Sequence, residues 1–176
     1  MDTVKPIMLA EQGKKEYEQE RYLAAADLFS QAAQAYKLAQ DALNAAEMRN
    51  NQSVALLQAG KAKEALQATD GTEEIFQKAG DIRRQGIAVS NRAAALEGLK
   101  QWKEALAEYD RAASLFEGIA EGDMHSMVRK AAANLNLKRG RIVDSQMDVY
   151  DSLRLVEKPT LTQRFMKFLI RIGLVK

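Results

Sequence analysis

Small and aromatic residues recur along this chain at a constant spacing of 40 positions. One series holds small residues: Ala25, Ala65, Ala105 and Ser145. A second series holds three aromatic residues and a valine: Tyr36, Phe76, Phe116 and Val156. Such a spacing is typical of stacked helix pairs, each too small to bury its own apolar face alone. We therefore expect a continuous stack of four helix pairs.

Within each unit, apolar residues recur at helical spacing and predict two antiparallel helices. The first helices are expected near residues 5–19, 42–59, 82–99 and 124–138. The second helices are expected near residues 22–38, 62–78, 102–118 and 142–157. Gly60 and Gly140 fall in turns inside two pairs, where a left-handed backbone favours glycine. Asp41, Asp81 and Asp123 are expected to cap the first helices that follow them.

The positions of the small residues also predict close helix packing. Besides the series that begins at Ala25, two further series recur with the same spacing. They are Gly13, Ser53, Ala93 and Ala133, and Ala32, Thr72, Ala112 and Ser152. Small side chains at fixed helical positions let neighbouring helices approach closely, while larger residues between them fill the grooves.

Two segments, GKKEY…YLAAADLF (13–29) and ALEGLKQWKEALAEYDRAA (95–113), combine these features. They resemble the tetratricopeptide repeat (TPR) family, in a longer-helix variant whose period exceeds the usual one of the family. The resemblance covers about residues 7–157. It implies an all-α, right-handed superhelix of four helix pairs within residues 1–158, with residues 159–176 as a C-terminal capping helix. It also implies a non-enzymatic interaction module or scaffold that binds a protein or peptide in its concave groove.

Composition narrows the possible functions. The 26 basic and 24 acidic residues give a net charge of +2, and the repeats have no basic face of the kind that binds nucleic acid. The chain has no cysteine, which fits a reducing compartment. We find neither a signal-peptide pattern nor an apolar run long enough to span a membrane, so a cytoplasmic location is expected.

The sequence offers no combination of residues that would perform catalysis. With a single histidine and no cysteine, it lacks the usual ligands of a zinc site and a base beside a nucleophile. We expect no enzymatic activity, no metal and no cofactor. His125 is interpreted as a solvated residue near the start of its helix.

The TPR resemblance places the first helix of each pair along the groove, and this selects the candidate binding residues. They are Lys14, Asn50, Asn51, Asn91, Lys130, Asn134 and Lys138. An asparagine amide both donates and accepts, so Asn51 and Asn91 could hold the backbone of an extended peptide. Lys130 and Asn134 resemble a pair with which some family members hold a terminal carboxylate, although Glu11 stands where a neutral or basic group would be wanted. The alternative is that these are ordinary solvated or inter-helix polar residues.

Beyond Pro159, Thr160 and Gln163 form a capping box that predicts a new helix. Its basic residues span only about 60° of the helical wheel, while apolar residues span roughly 240°. The expected interaction face is Phe165, Phe168, Leu169 and Ile172. Three roles remain open: a cap that also self-associates or holds a partner, a peripheral helix on an anionic membrane, or a helix buried completely by its neighbours.

Overall fold

A computed structural model describes residues 5–156 and 159–164 of the 176-residue chain. The described residues form helices joined by short turns, and they include no strand. The nine complete helices of this part are α1 (Pro6–Glu18), α2 (Tyr22–Leu38), α3 (Ala42–Gln58), α4 (Ala62–Ala68), α5 (Thr72–Lys78), α6 (Ile82–Gly98), α7 (Trp102–Gly118), α8 (Gly122–Lys138) and α9 (Ile142–Arg154). The all-α class expected from the sequence is confirmed.

Helices end at regular intervals because the same turn recurs. The residues with a left-handed backbone in these turns are Glu20, Gln40, Gly60, Gly80, Lys100, Ala120 and Gly140. After each of them, the next backbone N–H donates to a carbonyl five residues earlier, as from Arg21 to Glu16 at 2.9 Å and from Lys61 to Leu56 at 2.8 Å. This is the hydrogen bond of a Schellman turn, which satisfies carbonyls that the ending helix leaves free.

The second unit departs from the expected pattern, because its second helix is broken. We predicted one helix over residues 62–78, but α4 ends before Thr69 and α5 begins at Thr72. Gly71 has φ 73°, and the hydroxyl of Thr69 donates to the carbonyl of Leu66 at 2.7 Å. A left-handed glycine cannot continue an α-helix, and a threonine hydroxyl competes for the backbone carbonyls. The break leaves the register of the repeat unchanged.

Two of the three expected caps are confirmed. Asp41 accepts from the backbone N–H of Asn44 at 3.0 Å, and Asp81 accepts from that of Arg84 at 2.9 Å. The prediction for Asp123 is wrong, since α8 begins earlier, at Gly122, and its N-cap position holds Glu121 without a side-chain cap. The equal length of the turns, rather than the best capping residue, sets where this helix begins.

The series of small residues lies inside the molecule, as predicted. Ala25, Ala65 and Ala105 have no exposed surface. A Cβ placed on Gly13 would lie 2.9 Å from the ring of Phe29, a distance too short for any side chain without movement of that ring. Glycine is therefore required here for α1 and α2 to approach closely.

Extensive contacts join helices of the same pair or of adjacent pairs. Each of α1, α2, α7 and α8 contacts the helix that follows it in the chain, namely α2, α3, α8 and α9. In the second and third units, α3 contacts α4, α5 and α6, and α6 also contacts α4, α5 and α7.

After α9, a further helical segment begins at the predicted capping box and includes residues 161–164. Thr160 N–H donates to Gln163 Oε1 at 2.8 Å, and Gln163 N–H donates to Thr160 Oγ1 at 3.3 Å.

Candidate functional site

The first helices of adjacent pairs contact one another through polar residues and one close approach. Arg84 of α6 lies 3.2 Å from Glu47 of α3, and Lys138 of α8 donates to Glu97 of α6 at 2.9 Å. A Cβ on Gly98 would lie 3.0 Å from a methyl carbon of Leu57, so α6 also approaches the end of α3 closely. These contacts make α6 a neighbour of both α3 and α8.

A groove of about 450 Å³ opens between the first helices α1 and α3. Its α1 wall is formed by Ile7, Ala10, Glu11, Lys14 and Tyr17. Its α3 wall is formed by Met48, Asn51 and Val54, and Phe29 of α2 also lines it. The groove is mostly apolar, and its polar groups are a carboxylate, an ammonium, a phenol and an amide. This composition suits a ligand with both an apolar side chain and backbone-like polar groups.

Phe29 can line this groove because of the residue opposite it. Its ring occupies the space left by Gly13, which puts the ring between α1 and α2. Phe29 is only 5% exposed, so one ring both fills the N-terminal core and limits the depth of the groove. The depth of the groove therefore depends on packing inside the first helix pair.

A second recess, of about 400 Å³, lies beside the C-terminal ends of α3, α6 and α8. It is lined by residues of α3, α6 and α8, by the turn after α6 and by the start of α7: Leu57, Ala94, Glu97, Gly98, Lys100, Trp102 and Lys138. Glu97 also accepts from the hydroxyl of Tyr109 at 3.0 Å, and burial raises the pKa of that tyrosine. The carboxylate of Glu97, which lines this recess, thus links Tyr109 of α7 to Lys138 of α8.

The structure brings some of the predicted binding residues together and separates others. Lys14 and Asn51 line the groove between α1 and α3, and Lys138 lines the second recess. Asn91 is half-buried on α6, and Lys130 and Asn134 are exposed on α8, but these three line neither recess.

Asn50 occupies a different environment from its neighbour Asn51. It is only 4% exposed, and its carboxamide oxygen has no hydrogen-bond partner among the described residues. In this conformation Asn50 is an interior residue of α3 rather than a residue on the groove surface. Phe165, Phe168, Leu169 and Ile172, the expected C-terminal face, lie outside the described residues.

The interpretation of His125 as a solvated residue is wrong. It has no exposed surface and packs between α8 and α9, with its Nε2 atom 3.4 Å from Asp151 Oδ2. Neither ring nitrogen has a hydrogen-bond partner among the described residues. Burial lowers the pKa of His125, because the charged ring would lose its hydration, and the nearby carboxylate of Asp151 opposes this effect.

Charged residues surround His125 and were not anticipated as a group. Arg129 lies 2.6 Å from Asp151 and 2.5 Å from Asp110, so it links α8 to both α9 and α7. Asp148 accepts from Asn136 at 2.8 Å, and burial raises the pKa of this carboxyl. The three aspartates and the arginine of α9 were visible in the sequence, but charged residues at this spacing are equally typical of a solvated helix surface.

Comparison with known proteins does not identify a family for this chain. A scan against models of protein families finds no match, and a search of curated proteins finds no significant similarity.

Within residues 5–156 and 159–164, no group of three or more His, Cys, Asp or Glu side chains is placed to hold a metal ion. In that same part of the chain, no helix has the length and apolar content needed to cross a bilayer.

Proposed function

We propose that this chain is a TPR-like solenoid that binds an extended peptide or a segment of a partner protein along its row of first helices. In this proposal the four pairs form a right-handed superhelix, and the protein is a non-enzymatic scaffold. The observation that carries the proposal is the groove between α1 and α3, because it combines an apolar interior with Lys14 and Asn51 at one site.

The chemistry of the groove defines the ligand that it would accept. Ile7, Met48 and Val54 offer apolar surface to one aliphatic or aromatic side chain of the ligand. The amide of Asn51 can donate to a ligand carbonyl and accept from a ligand N–H without selecting a particular side chain. Glu11 and Lys14 would then orient the polar groups that flank the buried ligand side chain.

Repetition extends this site beyond a single groove. Asn91 of α6 is the counterpart of Asn51 of α3 in the next helix pair, and it is half-buried. In a regular stack, successive first helices lie about 8–10 Å apart, which matches roughly three residues of an extended peptide. Asn51 and Asn91 would therefore hold the peptide backbone at two points along its length.

A binding experiment tests this proposal. Peptides selected on the wild-type chain from a random library should bind the variant Asn51→Ala/Asn91→Ala at least about tenfold more weakly, because two hydrogen bonds are lost. The matched control is Gln31→Ala/Gln67→Ala, which removes two exposed amides from second helices and should leave the affinity unchanged. Equal affinities for both double variants, measured by calorimetry with unchanged helicity, would refute the groove assignment.

A further inference from the structure

A third recess opens between the second helices α7 and α9. Its volume is about 610 Å³, which is larger than that of the groove between α1 and α3. Its lining residues are Lys103, Leu106, Ala107 and Asp110 on α7, Asn136 and Arg139 at the end of α8, and Arg141, Asp144, Met147 and Asp148 at the start of α9. It shares no lining residue with the two recesses described above, so it is a separate candidate site.

The recess exists because α7 and α9 are joined near their C-terminal ends only. There, Arg154 of α9 donates to Glu117 of α7 at 2.7 Å. The recess is lined by the N-terminal halves of both helices, and among the described residues no hydrogen bond or ion pair joins these halves to each other. The space between them is therefore open to a ligand.

The carboxylates that line the recess already have partners within the chain. These pairs are Asp110 with Arg129 at 2.5 Å, Asp144 with Arg141 at 2.7 Å, and Asp148 with Asn136 at 2.8 Å. Each carboxylate thus accepts from an internal donor, which reduces its capacity to hold a cationic ligand group.

Two basic side chains of the recess differ from the carboxylates in this respect. Lys103 and Arg139 are exposed, and neither forms an ion pair with another residue of the described part of the chain. The formal charges of the lining cancel, but its hydrogen bonding is unbalanced, because an ammonium and a guanidinium carry only donors. A carboxylate is the matching acceptor, and a guanidinium can bind its two oxygens together.

The recess also offers apolar surface. Leu106 and Ala107 lie on the α7 side, and Met147, which is 67% exposed, lies on the α9 side. Met147 continues into an apolar strip with Val143 and Tyr150, which are 68% and 54% exposed and lie within about 60° of it on the helical wheel. A flexible thioether side chain adapts to ligands of different shape. A ligand that matches the whole recess therefore carries an aliphatic group beside its carboxylate.

We propose that the recess between α7 and α9 binds an acidic segment of a partner protein, in which a glutamate or aspartate lies next to a large aliphatic residue. The carboxylate of this segment accepts from Lys103 and Arg139, and its aliphatic side chain packs between Leu106 and Met147. This second site goes beyond the peptide binding proposed for the groove and does not depend on it.

Two defined peptides test the chemistry of the site on the full-length chain. The probe is acetyl-Gly-Glu-Leu-Glu-Leu-Gly-amide, and the comparison peptide has lysine in place of both glutamates. In a nuclear magnetic resonance titration, the acidic peptide should cause saturable shifts of amide signals near Lys103, Leu106, Arg139 and Met147. The basic peptide should bind at least about tenfold more weakly. No saturable shifts near these residues, or equal binding of both peptides, would overturn the proposal.

A pair of matched variants separates this site from general attraction by surface charge. Lys103→Gln/Arg139→Gln should weaken binding of the acidic peptide at least about fivefold, because charge-assisted hydrogen bonds are lost. Lys37→Gln/Lys78→Gln changes the net charge equally at exposed positions of α2 and α5, and should leave the affinity unchanged with equal helicity. An equal loss in the two double variants would contradict a site in the recess.

A third variant separates the recess from the groove. Asn51→Ala/Asn91→Ala should bind the acidic peptide as tightly as the wild type does, since neither asparagine lines the recess. A loss of affinity in this variant, with none in Lys103→Gln/Arg139→Gln, would place the acidic peptide in the groove and refute the second site. The reverse result would support the second site, whatever the outcome for peptides selected on the groove.

Discussion

The first and last described helix pairs share one backbone plan but are held together by different chemistry. Between α1 and α2, the ring of Phe29 packs on Gly13 in a cluster of alanine, leucine and methionine side chains. Between α8 and α9, the contacts are largely polar and centre on Arg129, Asp151 and the buried His125. The comparison shows that turns and small residues define the repeat, while the side chains between the helices are free to vary.

The largest expected difference between the two pairs concerns equivalent core positions. Phe29→Ala should lower the free energy of unfolding by about 3–5 kcal/mol, because it empties a buried site that cannot collapse around Gly13. Val149→Ala, at the equivalent position of α9, should cost only about 1 kcal/mol, since Val149 is half-buried and smaller. Urea unfolding followed by circular dichroism measures both values. Equal losses would show that the two interiors do not differ as described.

A smaller effect is expected from the buried His125 of the last pair, which should make the free energy of unfolding depend on pH. Because burial lowers the pKa of His125 below its usual 6.5, the unfolded chain binds the proton more readily than the folded chain. Stability from this group is therefore complete above about pH 6.5 and is lost as the pH falls, by at most about 1.4 kcal/mol per pH unit. Unfolding in urea at pH 7.5 and pH 5.5 should reveal this loss in the wild type.

The control for this effect is His125→Gln, which keeps a neutral polar side chain and removes the titration. Its stability should depend less on pH over the same interval, even if it is lower throughout. The difference between the two chains isolates His125 from Asp148, whose raised pKa acts in the opposite direction. The charged groups that face His125 are Arg129 of α8, Asp151 and Arg154 of α9, and Glu117 of α7. An identical pH dependence in both chains would contradict a buried, neutral histidine.

The smallest expected difference in stability is between variants at the start of α6 and variants at the start of α8. Asp81→Ala removes the cap of α6 and its contact with Arg84, and should cost about 1 kcal/mol. Asp123→Ala should change stability by less than about 0.5 kcal/mol, because Asp123 is exposed and does not cap α8. A comparable loss for both variants in thermal unfolding would indicate that Asp123 stabilises the start of α8.

Turns and helix caps could be predicted from the sequence because a few neighbouring residues determine them. The turns near Gly60 and Gly140 and the caps at Asp41 and Asp81 follow from backbone preferences that a few neighbouring residues express. The break at Gly71 was missed because a helical pattern of apolar residues continues across it. Only the combination of a threonine hydroxyl with a following glycine indicated a stop.

The environment of individual polar residues was harder to predict. His125 and Asn50 lie on helices that also carry many exposed polar residues, and nothing local distinguishes them. Their burial depends on the next helix in the stack, which is a long-range property. Lys14 and Asn51 were selected through the TPR resemblance, and they line the groove between α1 and α3, but their role as binding residues stays a prediction. The part played by Phe29 depends on the separation of α1 and α2.

The central claim is that an extended peptide binds along the row of first helices, and a nuclear magnetic resonance titration tests it most directly. Isotope-labelled full-length protein would be titrated with a library-selected peptide. We expect the largest shifts of amide signals near Lys14, Asn51, Val54 and Asn91, with little change near Gln31 and Gln67 on the second helices. Shifts concentrated on the second helices, for example near Lys103 and Met147, with none near Asn51, would contradict the account.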